Sequence, residues 1–291
     1  MSVMEKHTRS YLQLIKPGIT VSNSMTAAAG FLLAASHFGF SWAEFAGTVV
    51  GVALIIASAC VVNNMLDRGI DSRMSRTKGR EIAAGHIPLY MAAIYAVVLG
   101  TLGMALLSVS SNLVTLLLGA LSYVWYVVVY GMAKRTTPLS TAIGAVCGAL
   151  PPMAGYTAVA GHIDATAWAL FWILMVWQMP HFYAIAVFRE KDYRAAGLPV
   201  WSVVLGAEST KAQILFWVVV FAFVVSLPTV LGSTGSIYLA VMLALSAYWI
   251  GQGMWYYRRE NTERWSKRMF GVSLVILLIF CIAISVGGYI A

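Results

Sequence analysis

The side chains best suited to chemistry lie in one short stretch, Asn63-Asn64-Met65-Leu66-Asp67-Arg68-Gly69-Ile70-Asp71. On a helix, positions i, i+4 and i+8 drift by only about 40° per step, so Asn63, Asp67 and Asp71 share a face with Asn64 beside it. Two carboxylates one turn apart, with amide oxygens beneath them, form a set of hard oxygen ligands. Such a set suits Mg²⁺, which takes one or two carboxylates and leaves its other positions to water and substrate phosphates. The same spacing also occurs on solvated helix ends, where Asp67 and Asp71 would only balance Arg68 and Arg73. The asparagine pair favours the metal reading, because amides at the end of an apolar run are costly unless partnered or functional. Arg76 and Arg80 follow, again four apart, and could grip an anion such as a diphosphate by bidentate contacts. Alternatively Arg76 and Arg80 only enforce the positive-inside rule, which is the reading of Arg73 and Lys78.

A second candidate region reads Trp177-Gln178-Met179-Pro180-His181-Phe182-Tyr183, then Phe188-Arg189-Glu190-Lys191-Asp192-Tyr193. Pro180 interrupts an apolar run and frees backbone groups that side chains or a ligand can satisfy. His181 follows at once. A histidine there is often a satisfied interior group, yet ionisable residues at membrane depth default to functional candidates. Lys191 and Asp192 repeat the chemistry of the first region with half the acids. Lys134-Arg135 closes another apolar run, and Leu150-Pro151-Pro152 breaks a third in its middle.

The elements that must position these residues follow from composition. Of 291 residues, 60% are hydrophobic and 10% charged, against roughly 45–50% and about 25% in a soluble domain. Mean hydropathy is +0.80. A soluble fold could not hide that much apolar surface, so the chain is expected to be an all-α polytopic membrane protein. Nine runs are long enough to span: 18–37, 44–66, 88–108, 112–131, 139–160, 165–187, 211–231, 237–257 and 270–290. Tight links make neighbours antiparallel, and no linker or second domain appears, so residues 1–291 read as one domain. The stretch Tyr11–Ile15 reads as an amphipathic turn lying in the membrane interface.

All 19 Lys and Arg fall before the first run or in the segments 67–87, 132–138, 188–211 and 258–268. Cytoplasmic loops retain such residues, which places the N-terminus inside and the C-terminus outside. The same segregation accounts for the +8 net charge and excludes nucleic acid as a partner. A cleaved signal peptide ending near Ala34-Ala35-Ser36 is the lesser reading, because the run is long for one. Cys60, Cys147 and Cys281 lie inside apolar runs and read as small buried hydrophobes.

In this order and placement the motifs resemble those of the UbiA superfamily of intramembrane prenyltransferases, as does Lys16-Pro17 before the first run. Within it, Met74-x-Arg76-Thr77-x-x-Arg80, Met179-Pro180-His181-Phe182 and Lys191-Asp192-Tyr193-x-x-Ala196-Gly197-x-Pro199 resemble the protohaem IX farnesyltransferase (haem O synthase) family. The resemblance runs from Tyr11 to the ninth run. It implies a bundle of nine helices around a central cavity, with the active site under cytoplasmic loops in a bacterial inner membrane. The implied reaction is Mg²⁺-dependent transfer of a farnesyl group from farnesyl diphosphate to a vinyl group of haem b, giving haem O.

The implied site residues are Asn63, Asn64, Asp67 and Asp71 for Mg²⁺-diphosphate, with Asp192 as a candidate for a second ion. Arg76, Arg80, Lys134 and Lys191 would meet diphosphate or haem propionates, and the sequence does not apportion them. His181 is assigned to haem, with orientation of a propionate or of the quenching water as alternatives. Tyr123, Trp125, Tyr126 and Tyr130, with Trp168, Trp172, Trp177 and Tyr183, could wall a porphyrin, although most read equally as core or belt packing. Haem A synthase or haem–copper oxidase assembly factors are the implied protein partners. Two departures stand out: the second motif keeps only Asp192, and Glu81 replaces a proline frequent in the family. A relative acting on a quinone precursor or a chlorophyll-like acceptor is the nearest rival. A transporter is the other, disfavoured because the acids gather at one membrane surface rather than at the midplane.

Overall fold

Apolar runs of this length must become helices in a bilayer, where the chain alone can satisfy its backbone groups. The computed structural model describes residues 10–290, and among these there is helix and no strand. Among the described residues nine long helices cross the bundle: α1 (Pro17–Phe38), α2 (Trp42–Leu66), α3 (Leu89–Ser110), α4 (Leu113–Thr136), α5 (Ser140–Ala160), α6 (Ala165–Phe188), α7 (Ala207–Val230), α8 (Ser236–Tyr256) and α9 (Thr262–Gly287). Exposed apolar side chains such as Val97, Val109, Leu117 and Phe223 cover the outside. The protein is a multi-pass membrane protein.

Side-chain caps start four of these helices. Ser41, Asn112, Asp164 and Asn261 accept from the backbone N–H three residues on, opening α2, α4, α6 and α9. Three helices outrun the apolar segments that announced them. α7 begins at Ala207, α9 begins at Thr262 and α4 continues to Thr136. Hydropathy marks only the apolar stretch, whereas the helices run on through charged turns such as Glu263–Lys267, paired at 2.6 Å.

The prolines do not break their helices. α5 is continuous through Pro151 and Pro152, and α6 through Pro180. Pro151 cannot donate to the carbonyl of Cys147, and the Ser122 hydroxyl of α4 donates to that oxygen instead at 3.2 Å. Residues 125–130 of α4 form a π-helical segment, Trp125–Tyr130.

α6 is the most enclosed helix, packed by α5, α7 and α9. α1 crosses α5 at backbone distance. A Cβ at Gly30 would overlap the Pro152 carbonyl, and one at Gly155 would overlap the Ala27 carbonyl, the small-residue packing expected between membrane helices. The helical turn at residues 10–14 packs on the protein. Leu14 is buried against Val61, Ile82, Ile87 and Ala92, and the Tyr11 ring meets Tyr95 edge-on at 5.4 Å.

Every described Lys and Arg lies at one end of the bundle, on the segments 10–16, 67–88 and 134–139, the link 189–206 or the adjoining turns of α7, α8 and α9. That charged end carries the site.

Candidate active site

The end of α2 continues through Asp67 into a short helix, Arg68–Asp71, with Asp67 N–H donating to Asn63 O and Asp71 N–H to Asp67 O. The i, i+4, i+8 register is therefore kept, and all four polar residues of the first motif are buried. This is not the solvated helix end that the charge pattern also allowed.

Each of these side chains has its own partner. Asn63 Oδ1 accepts from Lys16 Nζ at 2.6 Å. Lys16 precedes Pro17, which disfavours right-handed helical backbone at that position. Its φ of 49° makes it the one non-glycine among the described residues in the left-handed region. Burial, with Arg80 and Lys134 close by, pushes its ammonium pKa down to about 8. Asn64 donates to the Leu14 carbonyl at 2.9 Å, leaving its Oδ1 buried without a partner.

Asp67 accepts from Lys134 Nζ and, at 3.2 Å, from Arg135 Nη2. Asp71 accepts from Arg80 Nη1 on both oxygens, at 2.9 and 2.8 Å. Thr77 donates to the Asp71 carbonyl at 3.0 Å, wrapping the α2–α3 loop over the motif. The π-helical turn brings Tyr126 and Tyr130 into a stacked pair, 5.6 Å apart and 20° off parallel. Lys134 lies over the Tyr130 ring at 5.3 Å, and Trp125 donates to Ile143 O at 2.7 Å, tying the segment to α5. Such π turns recur at functional sites.

Asp192 stands apart from this nest. Its Oδ1 accepts from the backbone and hydroxyl of Ser75, at 3.0 and 2.6 Å, strapping the α6–α7 loop to the α2–α3 loop. Those Ser75 donors, with Arg189 and Arg76 nearby, hold its carboxyl below the usual range. Arg76 is exposed beside Asp192 and Tyr193. Lys191 is exposed near Glu263 of α9 and does not join the other cations. No three metal-ligating acids, histidines or cysteines converge among the described residues.

His181 is buried between α6 and α9. Its Nδ1 lies 2.8 Å from Ser273 Oγ, and that hydroxyl gives its single proton to Phe270 O at 2.6 Å. Ser273 must then accept from the Nδ1–H, which leaves Nε2 with its lone pair. The ring stacks on Trp177 at 4.8 Å. Trp168 and Trp172 are each 48% exposed and pack on Phe171.

Sequence patterning did not assign Lys16 or Arg135 to the site. The lysine beside a proline at the first span was the only signal for Lys16, whose partner lies 47 residues away. The donor set itself fits a divalent cation: two carboxylates, the Asn63 oxygen and the unpartnered Asn64 oxygen are all hard ligands.

A family model described as the UbiA prenyltransferase family matches residues 23–284. Relatives named protoheme IX farnesyltransferase, from Yersinia pseudotuberculosis serotype O:1b (strain IP 31758) and Serratia proteamaculans (strain 568), are each 40% identical over 279 residues. Those alignments cover 96% of this chain and 94% of each relative. Among solved structures, one of a digeranylgeranylglyceryl phosphate synthase has a TM-score of 0.78 at 19% identity, covering 98% of this chain and 99% of that one. A UbiA homolog from Archaeoglobus fulgidus bound to GPP and Mg²⁺ has a TM-score of 0.64 at 17% identity, covering 95% and 99%. At such identities the structural likeness is one of fold.

Proposed function

The chain belongs to the UbiA prenyltransferase family, and from that premise we propose that it transfers a farnesyl group from farnesyl diphosphate to a vinyl group of haem b, giving haem O and diphosphate. The observation that carries the donor half is the polar nest, where buried acceptors and cations face one another at the end of an apolar bundle. The acceptor half rests on relatives of that printed name at 40% identity. A solved relative of the same fold holds a prenyl diphosphate with Mg²⁺, which supports the same metal here.

In this reading Asn63, Asn64, Asp67 and Asp71 hold the ion, which supplies charge neutralisation for the departing diphosphate. Lys134 and Arg80 stabilise the negative charge that grows on the leaving oxygens as the C–O bond breaks. The vinyl π electrons attack the allylic cation, forming the new C–C bond. Water then adds to the cation left on the porphyrin substituent and releases a proton. Tyr130, beneath Lys134, keeps apolar surface against the reacting carbon and limits early capture by water. His181 offers Nε2 to the haem, and Arg76 is assigned to a propionate. Ser75 takes only Oδ1 of Asp192, so Asp192 would meet a second ion through Oδ2.

We place the charged end in the cytoplasm, with the described residues forming one domain of an inner membrane. Haem A synthase or an oxidase assembly factor is the partner class for product hand-over. Diphosphate release by the purified protein, given farnesyl diphosphate, Mg²⁺ and either haem b or an aromatic quinone precursor, tests the proposal. Release is expected with haem b alone, and release only with the quinone precursor would overturn the acceptor.

A further inference from the structure

Each side chain on the shared face is held by a cation from a different part of the chain. Asn63 is held by Lys16 ahead of α1, Asp67 by Lys134 at the end of α4, and Asp71 by Arg80 of the α2–α3 loop. With Arg135 also on Asp67, four cations face two carboxylates, so the nest is electropositive before any ligand arrives. A divalent cation entering alone would add to that excess and strand Lys134, whose side chain is 9% exposed, without a partner. Stranding one member of a buried pair is strongly unfavourable. An anion entering alone would take the cations and leave buried carboxylates bare. A divalent cation and a diphosphate together satisfy both sets. Lys16 points the same way, since a left-handed backbone at a non-glycine residue is kept only where the surroundings enforce it.

We propose that Lys16, Lys134 and Arg80 are place-holders that pass from Asn63, Asp67 and Asp71 to the diphosphate, so that metal and diphosphate load as a pair and each binds poorly without the other. This rests on the reading that the face takes a divalent ion and a diphosphate. It adds Lys16 to the anion-binding set and takes a ligand-free pairing as the source of the coupling. Coupling of this kind is reciprocal: each ligand must raise the other's affinity by the same factor.

The test is calorimetric titration of the full chain in lipid nanodiscs with Mg²⁺ alone, inorganic diphosphate alone, and each in the presence of the other, corrected for their complex in solution. In the wild type each should bind at least about tenfold more tightly beside the other. In Lys134→Met, Mg²⁺ alone should bind about tenfold more tightly than in the wild type, because a competing charge has left Asp67. Diphosphate should bind more weakly, and the coupling should shrink. Lys16→Met keeps both carboxylates paired and should shift both affinities in the same directions by less, which serves if Lys134→Met does not fold. Independent binding of the two ligands in the wild type would overturn the proposal, as would a loss of Mg²⁺ affinity in both variants. Failure of the wild type to bind either ligand, even together, would overturn the underlying reading as well.

Discussion

Asp67 and Asp71 lie one turn apart, yet their partners are housed differently. The Lys134 side chain is 9% exposed, whereas that of Arg80 is 30% exposed and can reach water. Asp67→Ala should therefore cost roughly 3–5 kcal/mol of stability by stranding a buried ammonium. Asp71→Ala should cost clearly less, and both should abolish turnover. Thermal melts in detergent check the order, and a lower melting point for Asp71→Ala than for Asp67→Ala would contradict it. The register of the two aspartates was legible from spacing, but their burial was not. Asp67 is covered by Lys134 and Arg135, 67 and 68 residues away, and Asp71 by Thr77 and Arg80 of a loop folded back over the motif. His181 was legible as a candidate, while its free Nε2 follows only from the Ser273 network. His181→Ala should alter the Soret band of bound haem b and leave diphosphate affinity unchanged. An unchanged haem spectrum with normal haem affinity would remove His181 from the haem site.

At the scale of elements, the α1–α5 crossing governs where Lys16 begins its reach. Gly30→Ala drives a methyl into the Pro152 carbonyl, a backbone atom that cannot step aside. Overpacking of this kind typically costs about 1–3 kcal/mol. Gly271→Ala on α9 meets nothing within 4 Å and serves as the control. A lowered melting temperature is expected for Gly30→Ala and none for Gly271→Ala; equal melts would mean that the two helices can separate freely. The nine spans themselves were legible in hydropathy because backbone satisfaction leaves a long apolar run no other choice. The unbroken prolines were not legible, since the donor that replaces the lost hydrogen bond at Cys147 comes from another helix. Nor was the π segment, whose aromatic and β-branched residues fit an ordinary helix equally well.

At the scale of the whole molecule the described residues segregate charge, with their Lys and Arg at one end and Glu44, His37, His162 and Asp164 at the other. A reporter active only outside the cytoplasm should work at Gly161 and Gly232 and fail within 72–84 and 258–268. The reverse pattern would put the nest on the wrong face for a cytoplasmic diphosphate. What the nest does for catalysis is most directly tested by mass spectrometry of the porphyrin product. Purified protein in nanodiscs, given haem b, farnesyl diphosphate and Mg²⁺, should yield a porphyrin heavier by one farnesyl and one hydroxyl group, with one diphosphate released per molecule formed. The same reaction with Asp71→Ala should leave haem b unchanged. Unmodified haem b from the wild type, or an equal yield of product from Asp71→Ala, would contradict farnesyl transfer at this site.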